Sequence, residues 1–285
     1  MLHQDDLIFD VGMHLGEDTD FYLKKGFRVV AFEANPTFVE HCKARFSGAL
    51  ASEKLVIVSG AVAPGTTSSV PFYINLKNTH WGTLNRDWVE RNERRGAPSK
   101  LVEVPRIDIL DYLRRYGVPY YLKIDIEGSD IAAAGPLQEL DSRPQFLSIE
   151  TNINRLANVF AEIKLLRALG YRKFKPVQQQ TLDGTPLVSR ARDGSLFEHV
   201  FEYGASGPFG DDLTGEWLDY DGCRRAYRRI FARYRTVGHL SPLLSPRWHA
   251  VRRRLEQRIG ISGWHDVHAS LDFRRRQSKL VQSNR

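Results

Sequence analysis

The stretch LIFDVGMHLGEDTDFYLKKGFRVVAFEANP, residues 7–36, decides the fold. It opens on an apolar run, residues 7–11, which reads as a strand buried on both faces. Gly12 and Gly16 punctuate the turn after it. Residues 17–25 read as a helix closed by Gly26, with acidic residues in the first turn, where the helix macrodipole favours them. Residues 27–33 form a second apolar strand, and Asn35-Pro36 opens a helix that runs to about residue 46. Strand, helix, strand, helix in this order predicts parallel strands joined by right-handed crossovers.

The alternation continues outward. Residues 55–62 are a third strand, followed by a β-rich stretch near 70–75 and a polar segment over 77–100. Residues 105–116 contain a short amphipathic helix, and residues 120–125 and 145–150 are the fourth and fifth buried strands. Residues 157–169 carry Val159, Phe160, Ile163, Leu166 and Leu169 at helical spacing, closed by Gly170. Strands near 171–176 and 199–203 then complete the sheet. The expected architecture is α/β and Rossmann-like: a mainly parallel seven-stranded sheet with helices on both faces, over residues 1–205. A Gly/Pro-rich break at 204–210 precedes a second segment, residues 206–285. That segment reads as a basic, mostly helical C-terminal extension, with helices over 220–234 and near 248–259 and a disordered polar end from about residue 273.

Four features fall at the ends of successive strands, where parallel sheets hold ligands. The first is Asp10-Val-Gly-Met-His-Leu-Gly16, a turn whose Gly12 lets the backbone approach a ligand. It is not G-x-G-x-x-G, because Met13 and His14 occupy its interior, and this disfavours a pyrophosphate-binding dinucleotide loop. The second is Glu33, placed about 20 residues beyond the turn, as is an acidic residue that accepts both hydroxyls of an adenosine ribose. The third is Ser59-Gly60-Ala61, whose small side chains leave room for a flat adenine. The fourth is Lys123-Ile-Asp-Ile-Glu-Gly128, where Asp125 and Glu127 end a buried strand. Two carboxylates there require a cation or hydrogen-bond donors; a sulfonium and an α-ammonium would serve. The plain alternatives are an ordinary strand-helix turn, a surface carboxylate at Glu33, a glycine loop at 59–61 and an N-cap for a helix over 129–134.

The segments DVGMHLGEDTDFYLKKGFRVVAFEANP (10–36), VEVPRIDILDYL (102–113) and LKIDIEGSD (122–130) together resemble the FkbM family of methyltransferases, over roughly residues 5–175. The resemblance implies a class I methyltransferase fold and methyl transfer from S-adenosylmethionine to oxygen, on a hydroxyl of a sugar, glycan or polyketide-type natural product. It implies that Asp10, Gly12 and Gly16 shape the methionine side of the cofactor pocket and that Glu33 holds the ribose, with Ala34 beside it in the cofactor site; His14 either reaches the cofactor or packs behind the turn. Gly60 and Ala61 would lie near adenine, Asp125 near the reactive end, and Glu127 in the same motif.

A hydroxyl acceptor is a weak nucleophile and needs a base. Asp125 and His80, the latter beside Trp81 in a polar loop, are the candidates, with a surface loop as the plainer reading of His80. Asp125, Glu127 and Glu150 offer oxygens to a divalent cation, but no dedicated cage is legible and metal dependence is not favoured. His265 and His268 have the i, i+3 spacing of one helical face.

The 285-residue chain carries a net charge of +7. Residues 206–285 hold 16 Lys/Arg against 8 Asp/Glu, whereas the first 205 carry 25 against 26. The basicity therefore belongs to the extension, where it suits a solvated helix surface or an anionic acceptor. It argues against nucleic acid, for which no aromatic platform is present. Two distant cysteines, Cys42 and Cys223, suit a reducing compartment. With no secretory leader or membrane span legible, a cytoplasmic protein is expected. Monomer and homodimer both stay open. The competing readings are a non-catalytic cofactor-binding or scaffold module on the same fold, and an NAD-dependent oxidoreductase.

Overall fold

The computed structural model describes residues 1–151, 155–179, 182–236 and 265–271. In chain order the elements are β1 (His3–Val11), α1 (Glu17–Lys24), β2 (Arg28–Glu33), α2 (Pro36–Arg45), α3 (Ser47–Ala51), β3 (Leu55–Ser59), β4 (Ala61–Val62) and β5 (Ser69–Asn75). Next come α4 (Arg86–Arg94), β6 (Ser99–Ile107), α5 (Ile109–Tyr116), β7 (Val118–Ile124), α6 (Asp130–Ala134), β8 (Phe146–Thr151), α7 (Leu156–Ala168) and β9 (Lys173–Gln178). The last are β10 (Pro186–Arg190), β11 (Leu196–Val200), α8 (Tyr220–Thr236) and β12 (His265–Ser270).

Local chemistry sets several of these boundaries. The Asn35 side chain accepts the Thr37 amide at 3.0 Å, and Pro36 supplies a preset φ, so α2 starts where its first free amide finds an acceptor. Asp108 does the same for α5 by accepting the Leu110 amide at 3.0 Å.

The main sheet has seven strands in the order β3-β2-β1-β7-β8-β12-β9. The first five run parallel, and β12 lies antiparallel to both β8 and β9. Chain order reverses between β1 and β7, which opens a crevice beyond their C-terminal ends. Both faces of the sheet are covered. Along β1, Leu7, Phe9 and Val11 join a cluster with Leu113, Leu137 and Ile163 from the helices on one side. Ile8 points the other way, to Phe21, Tyr22 and Phe209. This explains why the strand reads as a continuous apolar run: alternate residues enter different cores.

The structure departs from the sequence expectation at the C-terminal side of the sheet. Residues 199–203 do not complete it. Leu196–Val200 pairs with Pro186–Arg190 in a separate hairpin that rests on α1 through Phe197 and His199. The completing strand is β12, drawn from beyond residue 205 and paired along its whole length on both sides. The boundary at 205/206 thus does not divide the sheet from the C-terminal segment, and α8 adds Cys223, Tyr227 and Tyr234 to the same core. Nor do His265 and His268 share a helical face: on a strand an i, i+3 pair lies on opposite sides of the sheet. The helix expected near 248–259 and the end from 273 lie outside the described residues. Among the described residues, no helix is long and apolar enough to cross a membrane.

A chain ending at residue 264 should lose cooperative unfolding, because β8 and β9 would each be left with an unpaired buried edge. Urea denaturation monitored by circular dichroism checks this, and a midpoint unchanged from the full chain would remove β12 from the sheet.

Candidate active site

The crevice beyond β1 and β7 widens into a cavity of about 640 Å³. Its shape begins at Gly12. The Gly12 and Met13 amides both donate to the Phe32 carbonyl at 3.0 Å, and the Asp125 amide donates to the Val11 carbonyl at 2.9 Å. These bonds bring the ends of β1, β2 and β7 into contact. Gly12 has φ 91°, and a Cβ there would collide with the Asp125 carbonyl oxygen, so only glycine fits.

Glu33 closes β2 and is buried at the cavity wall, 7% exposed. Its Oε2 accepts the His14 amide at 2.8 Å and its Oε1 the Asn35 amide at 2.7 Å. A carboxylate offers about four acceptor sites, so each oxygen keeps room for one further donor. Burial pushes Glu33 up to about 7, against the two amides and the charges of His14 and Lys123. Beyond β3, Gly60 meets the Pro105 carbonyl so closely that a Cβ would not fit. The small residues Gly60, Ala61 and Val62 line the cavity, as do Ala34 and Phe38.

The floor is acidic. Asp125, Glu127, Asp130 and Glu150 all line the cavity, and burial raises all four; Asp130 is raised to about 7. Asp130 accepts the Ile126 and Gly128 amides at 3.1 and 3.2 Å and so holds the turn that presents its neighbours. Glu127 adopts φ 50° and Gly128 φ 92°, and a Cβ on Gly128 would collide with the Trp88 indole. Among the described residues no group of three or more His, Cys, Asp or Glu side chains is arranged to hold a metal ion.

His80 also lines the cavity. Its ring stacks on His14 at 4.2 Å and meets Tyr203 edge-on at 5.5 Å, while Gly204 abuts it where a Cβ would not fit. Burial, reinforced by the charge of His14, lowers His80 to about 4, so it is a neutral, weakly basic ring at physiological pH. His14 is anchored in turn by Glu17, with Nδ1 2.8 Å from Oε1.

Nine of the eleven residues singled out in the sequence line this one cavity: Gly12, His14, Glu33, Ala34, Gly60, Ala61, His80, Asp125 and Glu127. Asp10 and Gly16 do not. Asp10 is fully buried behind the wall, accepting from Thr19 Oγ1 at 2.6 Å and from Lys123 Nζ at 3.2 Å. Gly16 packs against the Phe46 ring and caps α1 with φ 89°. Both shape the turn from outside the cavity. Sequence reasoning missed Lys123, Asp18, Glu17, Trp88 and Arg91, which also line it. Lys123 carried a legible signal, a lysine inside an otherwise apolar strand; the others meet only through the tertiary fold.

A family model described as the methyltransferase FkbM domain matches residues 10–173. No curated protein matches the chain. Solved structures give loose likenesses. Precorrin-6y C5,15-methyltransferase from Geobacter metallireducens GS-15 shares 11% identity at a TM-score of 0.36, over 70% of this chain and 77% of that one. Precorrin 8w decarboxylase from Methanobacterium thermoautotrophicum shares 14% at 0.33, over 70% and 78%. The StiE O-MT, residues 942–1257, shares 10% at 0.39, over 97% and 71%. At such identities and scores none of them speaks to this chain's substrate.

The buried carboxyls give the ligand-free protein a pH signature. Burial raises Asp10 to about 6 and Glu33 and Asp130 to about 7, from ordinary values of 3.8 to 4.5. A raised carboxyl contributes stability that is fully present below its unfolded value and lost as pH rises through its folded value. The melting temperature should therefore be higher at pH 5 than at pH 8 by differential scanning calorimetry. A higher midpoint at pH 8 would show that these groups are not held protonated by burial.

Proposed function

Because the chain belongs to the methyltransferase FkbM domain family, whose members use S-adenosylmethionine, we propose that it is an O-methyltransferase acting on a hydroxyl of a sugar, glycan or polyketide-type natural product. The observation that carries the cofactor site is the convergence of Gly12, Glu33, Ala61 and Asp125 on one cavity. The residues fit the cofactor. Glu33 keeps one acceptor site per oxygen for the two ribose hydroxyls. The small residues at 60–62 leave room for an adenine. The carboxyls at 125–130 suit a ligand bearing a sulfonium and an ammonium. Bound there, S-adenosylmethionine supplies a methyl group already activated for displacement.

The chain's own residues then have three tasks. Gly12 and its turn align the cofactor's methionine side, and orientation of this kind removes much of the barrier to a two-body reaction. Trp81, Trp88 and Tyr203 wall the remaining space with aromatic faces on which a sugar or polyketide ring can lie. Asp125 takes the proton from the acceptor hydroxyl. Burial raises its carboxyl, against the charge of Lys123 and a hydrogen bond with Glu150, which makes it a stronger base than an exposed aspartate. His80, lowered to about 4, is the weaker of the two candidate bases, and its ring orients the acceptor. The acceptor is a soluble cytoplasmic metabolite or glycan intermediate, and the basic segment beyond residue 205 suits an anionic one. The absent G-x-G-x-x-G turn speaks against the NAD-dependent alternative, and the acidic floor against an inert scaffold.

Incubation with labelled S-adenosylmethionine and glycan or metabolite fractions, then mass spectrometry, tests the proposal: a methyl ether on a hydroxyl supports it, and label confined to nitrogen or carbon refutes O-methylation. Glu33→Gln should weaken S-adenosylhomocysteine binding about ten-fold or more, since each charge-assisted hydrogen bond contributes about 1.5–3 kcal/mol. Unchanged affinity would remove Glu33 from the site. Wild-type affinity should rise about ten-fold from pH 6 to pH 8 as Glu33 ionises to receive its donors, and this slope should vanish in Glu33→Gln; calorimetric titration checks both. Asp125→Asn should cut turnover at least 100-fold with the fold intact, and full activity would exclude it as the base.

A further inference from the structure

Lys123 lies in β7 with 3% of its surface exposed. An ammonium has three donors. Here they go to Asp10 Oδ1 at 3.2 Å, the Gly12 carbonyl at 3.1 Å and Asp18 Oδ2 at 3.1 Å. With its donors so engaged, Lys123 meets Asp125 by charge alone, Nζ to Oδ2 being 4.0 Å. Asp18 reaches further. Its two oxygens accept the Ser206 and Gly207 amides at 2.9 Å each, and the neighbouring Tyr203 and Gly204 line the cavity against His80. One ammonium therefore fastens the glycine turn to the segment over 203–207, and it faces three carboxyl groups.

We propose that Lys123 is a positioning residue that sets how strongly the cavity prefers the charged sulfonium form of the cofactor over the neutral thioether form left after transfer. This rests on the reading that S-adenosylmethionine binds in this cavity. The two forms share their adenosine, ammonium and carboxylate and differ by one positive charge and a methyl group. A fixed charge in the cavity wall acts on that difference, and it does so more strongly here than in water because Asp10, Asp18 and Lys123 are all buried. Without the ammonium, Asp10, Asp18 and Asp125 would overstabilise the sulfonium before reaction. The positive charge leaves sulfur as the methyl group moves, so binding energy expended on it in the ground state does not speed the step. Lys123 tempers those carboxyls while leaving Asp125 free of a direct hydrogen bond from its ammonium.

A merely structural lysine would affect both ligands alike, so the affinity ratio is the decisive readout. Calorimetric titrations of S-adenosylmethionine and S-adenosylhomocysteine at pH 8 should show the ratio, in favour of the sulfonium, rising at least three-fold in Lys123→Met. In Asp18→Asn, which removes a negative charge instead, it should fall at least three-fold. Opposite shifts in the two variants support the proposal, because loss of stability cannot produce both. Ratios unchanged from wild type, with both affinities falling together, overturn it. Should Lys123→Met fail to fold, Asp18→Asn decides alone, and a flat ratio there overturns the proposal. Wild-type protein that binds neither ligand would overturn the cofactor reading itself, a failure distinct from a flat ratio.

Discussion

The contact between the Gly12 backbone and the Asp125 carbonyl is the constraint on which the site depends. β1 and β7 are neighbours whose helices leave on opposite sides of the sheet, so their tips would normally splay. The amide of Asp125 on the Val11 carbonyl and the amides of Gly12 and Met13 on the Phe32 carbonyl hold three tips together instead. A side chain at residue 12 would force β1 and β7 apart, and the cavity wall would open with them. The glycine turn and Asp125 at the edge of the acidic floor are placed by that approach.

The same approach concentrates charge. Asp10, Asp18 and Asp125 gather around a single buried lysine, and Glu127, Asp130 and Glu150 continue along the floor. Burying ionised groups is unfavourable unless each is paired, and removing one partner of a buried pair typically costs about 3–5 kcal/mol. The protein meets this in two ways. Lys123 and backbone amides satisfy Asp10 and Asp18, whereas the floor carboxyls are pushed toward their protonated forms by their surroundings. A cationic ligand would let the second group ionise, which couples the site's stability to its occupancy.

Much of the sheet was legible because its signals are local. Residues 7–36 contain two apolar strands, a capped helix and two glycines at a turn, and each is specified by its neighbours in sequence. The alignment of Gly12, Glu33, Ala61 and Asp125 came from the rule that parallel strands present their C-terminal ends to one side. β12 escaped detection for a physical reason. His265, Asp266, His268 and Ser270 make four of its six residues polar, so neither alternation nor an apolar run marks it as a strand. Its burial is imposed by β8 and β9 on either side, and Tyr227 reaches across to bond the Asp266 carbonyl at 3.0 Å. That Asp10 lies behind the wall was not legible, because position alone cannot tell a carboxylate that faces a cavity from one that holds the lysine behind it.

The position of a bound adenosyl ligand is the most direct test of the site. A crystal structure of the full chain with S-adenosylhomocysteine should show both ribose hydroxyls donating to Glu33, the adenine beside Ala61 and the sulfur facing Asp125. The nucleoside bound anywhere else, or with its ribose turned away from Glu33, would contradict the convergence of these strand tips on one cofactor.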